Sequence, residues 1–230
     1  DGKFQFESSD EILYTMNQMI KEGGSNSEKI ETWLREHVDP ADQAGIALRN
    51  LAEPVLNDPS ISETQGQYLA IQFLSQYATG NFQQRSQQWL QTRQNLKFQA
   101  LQWLSQAAQQ FKQDPKLKEQ KILFDDRTVT VKFNGKTVEV LEHMDGLQED
   151  FTFLFGFKKN QDGTLTVNGT SFGLIREHQG QIYHSRLLGG HELMKFMFNY
   201  LENIQGYQIQ TISEGWRYNS KPYLSRMYDE

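Results

Sequence analysis

The chain has 230 residues, with 23 basic and 29 acidic side chains, 12% aromatics and no cysteine. Lack of cysteine excludes a disulfide framework, a thiolate zinc site, an iron–sulfur cluster and a cysteine nucleophile, leaving His and carboxylates for any metal binding. A net charge of -6 argues against nucleic-acid binding over the whole surface but not against a local basic face.

Up to Gln120 the apolar residues recur at spacings of three and four, the period of amphipathic helices. Ser8 with Glu11 reads as a capping box ahead of Ile12, Met16, Met19 and Ile20, and Gly23-Gly24 ends that helix. Ser25 with Glu28 starts a second helix carrying Ile30, Trp33 and Leu34. Asp39-Pro40 is expected to open the third, with Ala44, Leu48, Leu51 and Val55 as its buried stripe and Pro54 with Asn57-Asp58-Pro59 closing it. Ser62 with Gln65 is expected to open the fourth, bearing Leu69, Ile71, Phe73, Leu74 and Tyr77, and Gly80 ends it.

A fifth helix spans about 81–113, where Phe82, Trp89, Leu96 and Trp103 recur every seven residues beside Leu90, Leu101, Leu104 and Phe111. Its opposite face is expected to carry glutamines together with Arg85, Arg93, Lys97 and Lys112. Of 27 glutamines in the chain, 20 precede residue 121. Charge is patterned as well: residues 1–63 hold 13 acids and 5 bases, whereas residues 64–120 hold 6 bases and 2 acids.

From Lys121 the apolar spacing changes to two, the period of strands. Asn134-Gly135 is a hairpin signal, because both central residues of a type I′ turn need positive φ. Phe151, Phe153, Phe155 and Phe157 line one strand face, which must be covered. Asp162-Gly163 and Asn168-Gly169 suggest turns around Thr164–Val167, and Gln179-Gly180 joins Ser171–Glu177 to Gln181–Leu187. After Gly189-Gly190 the period is helical again, with Leu193, Met197, Tyr200, Leu201 and Ile204 on one side, before a last strand near Tyr207–Ser213. The expected fold is α+β: a helical bundle over residues 1–118, then an antiparallel meander of six or seven strands with one packed helix over residues 119–230. No run reaches the ~18–20 apolar residues of a membrane span, so a soluble, cytoplasmic protein with no membrane partner is expected.

Three of the five histidines fall between His178 and His191, within the segment from Arg176 to Glu192. His178, His184 and His191 with Glu177 or Glu192 could serve acid–base chemistry, and Arg176 or Arg186 could hold an anion. Hairpin register decides which of them meet. A two-residue turn at Gln179-Gly180 sets Glu177 opposite Ile182 and on one face with His184 and Arg186, whereas a three-residue loop brings Arg176 to His184 instead. His191-Glu192-Leu193-Met194-Lys195 begins like a metalloprotease helix, but Lys195 stands where the second histidine is required, so no metal and no cofactor are expected.

Nucleic-acid binding would rest on Arg85, Arg93 and Lys97 of the fifth helix and on the tail containing Trp216 and Arg217. There is no phosphate-binding glycine loop, nucleophile elbow or calcium loop. The leading expectation is a non-catalytic adaptor or regulatory protein that docks an unidentified protein partner. A hydrolase or transferase built on the histidine segment is the alternative, and nucleic-acid binding ranks third.

Overall fold

The computed structural model describes residues 9–23, 27–187, 193, 196–197, 199–200 and 209–212. Five helices come first: α1 (Ser9–Gly23), α2 (Ser27–His37), α3 (Gln43–Asn57), α4 (Gln65–Tyr77) and α5 (Gly80–Gln113). Strands follow: β1 (Glu119–Phe124), β2 (Arg127–Phe133), β3 (Thr137–Met144), β4 (Phe151–Lys159), β5 (Leu165–Gly173), β6 (Ile175–His178), β7 (Gln181–His184) and β8 (Ile209–Ile212). The class is α+β, with helices preceding an antiparallel sheet. The chain divides into two compact units inside α5: Asp1–Asn95 with Ile175–His184, and Leu96–Leu174 with Ser185–Glu230. The change of hydrophobic period lies near residue 120, so the unit division and the period switch do not coincide.

In the first unit, Ile12, Met16 and Ile20 of α1 pack with Ile30 and Leu34 of α2, Leu48 and Val55 of α3, and Leu69 and Phe73 of α4. Ile182 of β7 belongs to this same core. Two helix starts differ from the expected caps. Asp42, not Asp39, caps α3 by accepting from the Gly45 N–H at 3.1 Å, while Asp39 closes a short turn onto the Ala41 N–H at 2.9 Å. Thr64, not Ser62, caps α4 in a reciprocal box with Gln67 (3.2 and 2.9 Å). Pro54 lies within α3 and does not end it. The Ser8 and Ser25 caps and Gly24 lie outside the described residues.

In the second unit the sheet order is β1-β2-β3-β4-β5-β8. β1 to β5 form the antiparallel meander, but β8 pairs with β5 in parallel. The expected turn at Asn168-Gly169 is absent: β5 runs through it, with Gly169 opposite Gly156, Val167 opposite Phe157, and Asn168 as the extra residue of a bulge. One sheet face carries Val129 and Val131, Val138 and Val140, and the phenylalanines of β4, all buried. Ala107, Ala108 and Phe111 of α5 are buried in this unit, as are Leu193, Met197 and Tyr200, the helical residues expected after Gly190. The Phe133 ring meets both Phe111 (6.0 Å) and Tyr200 (5.9 Å). Leu201 and Ile204 lie outside the described residues. Among the described residues no helix is long and apolar enough to cross a membrane.

Candidate functional site

β6 and β7 form their own two-stranded sheet in the first unit, and its register answers the question left open by the histidine segment. Glu177 pairs with Ile182, Ile175 with His184, Arg176 with Tyr183 and His178 with Gln181. The turn is the two-residue Gln179-Gly180, both at positive φ (50° and 74°). Directly opposed residues share a face. Ile175, Glu177, Ile182 and His184 therefore lie on one face, and Arg176, His178, Gln181 and Tyr183 lie on the other.

The first of these faces is packed: Ile182 is buried, and the His184 ring meets Tyr68 edge-on at 4.8 Å, which in turn meets Trp89 at 5.9 Å. Glu177 is exposed. On the second face, Arg176 turns back to donate to the Ile175 carbonyl at 2.9 Å. The hairpin thus separates His178 from His184. His191 and Glu192 lie outside the described residues, as do Trp216 and Arg217. Among the described residues no group of three or more His or carboxylate side chains is placed to hold a metal ion.

Arg186 belongs to the second unit, where it joins a buried charge network on the core face of the sheet. Arg127 donates from Nη1 to Glu142 Oε2 at 2.8 Å, and neither side chain is exposed at all. Glu142 also accepts from the Arg186 N–H (2.9 Å), the Leu187 N–H (2.7 Å) and the Ser185 hydroxyl (3.2 Å). The Arg186 guanidinium bonds Asp125 at 3.1 Å and Asp126, both in the turn between β1 and β2. Burial pushes the Glu142 carboxyl above its ordinary range, while Arg127 and then the donors from residues 185–187 pull it back.

The Ser185 N–H also bonds the Leu174 carbonyl at 2.8 Å, where the chain leaves the second unit for the β6–β7 hairpin and returns from it. The arrangement is a charged clasp on that return point. The sequence carried a signal for part of it: Arg127 and Glu142 are charged residues in phase with the inward-facing Val129, Val131, Val138 and Val140.

The basic face expected on α5 is corrected by the structure. Arg93 is buried, bonded to Glu63 at 3.1 Å and to the Pro59 carbonyl at 3.1 Å, and lies over the Trp89 ring at 4.7 Å. Arg85 pairs with Glu53 (3.1 Å) and Asn57 (2.6 Å) and covers Phe82. Lys97, in the second unit, is half-buried. Both arginines sit four residues from Trp89, so they flank the apolar stripe, and they pair with Glu53 of α3 and with Glu63 of the loop before α4.

What α5 exposes in the second unit is mostly uncharged, although Lys112 is exposed there as expected. Phe98, Gln102, Gln106, Gln109 and Gln113 fall at spacings of three and four and are all exposed, forming one stripe about 22 Å long. Phe98 is 62% exposed. No family model, curated protein or solved structure matches the chain.

Proposed function

We propose that the protein is a non-catalytic interaction protein, of adaptor or regulatory type, which docks a protein partner through the exposed stripe of Phe98 and glutamines on α5. The observation that carries this reading is the exposed Phe98 ring within a run of glutamines. Cores of protein interfaces are depleted in charge and enriched in aromatics, and amides can donate or accept as a partner requires. Covering the exposed part of that ring would stabilise a complex by about 1–2 kcal/mol. The destination of the charged side chains supports the same reading, since Arg93, Arg127, Arg186 and Glu142 are engaged with one another or with neighbouring carboxylates inside the units.

The test is affinity purification of the full chain from its native host, with wild type and Phe98→Asp as paired baits. The proposal expects a discrete partner on wild type that is lost on the variant, while the circular dichroism of the two baits stays the same. Identical recoveries from both baits would remove the α5 face from the account.

A further inference from the structure

The first unit holds a second surface of different character. A groove of about 440 Å³ lies between α1 and α2, lined by Met19 of α1 and by Glu28, Lys29, Thr32, Trp33 and Glu36 of α2. Residues 29, 32, 33 and 36 share one helix face by their spacing. Trp33 is held in place by His37, whose ring stacks on it (5.2 Å, 18° between planes) and whose Nδ1 donates to the Trp33 carbonyl at 2.8 Å. Glu28, Lys29 and Glu36 are exposed, and their side chains form no hydrogen bond or ion pair with another described residue. By contrast Glu31, on the same helix, is taken up by Gln72 and Gln76.

We infer that this groove takes a basic amphipathic segment of a partner protein, seating a lysine or arginine side chain between Glu28, Glu36 and Trp33 with an aliphatic neighbour against Met19. Charge complementarity selects this occupant. The groove lining holds two carboxylates against one ammonium, in a stretch of chain where acids outnumber bases by 13 to 5 over residues 1–63. An indole face attracts a cation, and the methionine side chain adapts to an apolar neighbour. An anionic segment would meet both glutamates, and a purely apolar one would leave them desolvated and unpaired. The inference deepens the reading of an interaction protein and rests on it, but concerns a different surface from Phe98.

The test uses a fluorescein-labelled synthetic peptide of leucine and lysine in helical spacing, with its leucine–glutamate counterpart, titrated with the full chain and read by anisotropy. The lysine peptide should bind, more weakly as salt rises, and the glutamate peptide should not. Glu28→Gln and Glu36→Gln should each weaken binding about two- to fivefold, the worth of an exposed charge pair. Lys29→Gln should tighten it by a similar factor, and Trp33→Leu, which removes the indole face but keeps an apolar side chain, should weaken it.

Glu177→Gln, an exposed acid outside the groove, serves as the control and should change nothing. Equal weakening by Glu177→Gln, loss of affinity in Lys29→Gln, or preference for the glutamate peptide would each overturn the inference. Phe98→Asp should bind the lysine peptide as wild type does. A chain that ignores the peptide yet still loses its host partner on Phe98→Asp would sink this inference alone and leave the α5 reading standing.

Discussion

Replacing Glu142 by Gln should be among the most damaging conservative changes in the second unit. The carboxylate accepts from Arg127 Nη1, Arg186 N, Leu187 N and Ser185 Oγ at 2.7–3.2 Å, so all its acceptor positions face donors. A carboxamide keeps the volume but turns an N–H₂ group toward some of those donors and removes the charge opposite Arg127. That guanidinium is fully buried over the Phe151 ring, and the carboxylate remaining near it is Asp126, 3.7 Å from Nε and shared with Arg186. Breaking a buried pair from one side costs about 3–5 kcal/mol, against about 5–15 kcal/mol for a whole domain. Urea unfolding followed by circular dichroism should show the midpoint lowered by about 1–2 M.

A double variant, Arg127→Met with Glu142→Leu, should lose less than Glu142→Gln alone, because it removes both charges and fills the space with apolar atoms. A Glu142→Gln protein within about 1 kcal/mol of wild type would refute the reasoning, since it would mean the Arg127 charge finds compensation elsewhere.

Gly45→Ala tests a steric requirement in the first unit: an added Cβ would meet the Pro40 carbonyl oxygen at 2.2 Å, and backbone cannot step aside cheaply. Although alanine favours helix, the change should destabilise by about 1–3 kcal/mol, read as a lower thermal midpoint; a stabilised variant would show that the Pro40 turn can move. The Asp162 carboxyl is held below its ordinary range by the Thr164 hydroxyl (2.6 Å) and then by the Thr164 N–H (3.0 Å). Its folded value is below its unfolded one, so its contribution is present above the ordinary aspartate range and lost as pH falls through the lowered value. Carboxyl-carbon NMR titration should show the Asp162 midpoint move up in Thr164→Val; an unmoved midpoint would discard the hydroxyl as the cause.

Much of the fold was legible because its periods are unambiguous. The alternation from Lys121 onward identified the inward face of β2 to β4, and the apolar spacing of α1 to α5 identified their buried stripes. Caps were harder, because short polar residues cluster before each helix: Asp39 and Asp42 both fit the start of α3, and the local pattern does not distinguish them, whereas the structure uses Asp42. The histidine segment left its register open between two turn lengths. Its residues are close in sequence, but a two-residue turn puts His178 and His184 on opposite faces.

Arg93 was misplaced on the exposed face although its position, four residues after Trp89, puts it beside the apolar stripe; the missing information was Glu63, thirty residues earlier in the chain, ready to pair with it. Arg186 shows the same limit. Its partners at Asp125 and Asp126 are joined to it by tertiary contact, which no local pattern reports.

The central claim is that the stripe of Phe98 and glutamines on α5 meets a protein partner. It is tested most directly by placing a photo-cross-linking amino acid at position 98 of the full chain in the native host, with the same probe at exposed position 177 as control. The account predicts an adduct of discrete mass from position 98 and none from position 177. No adduct from position 98, or the same adducts from both positions, would contradict it.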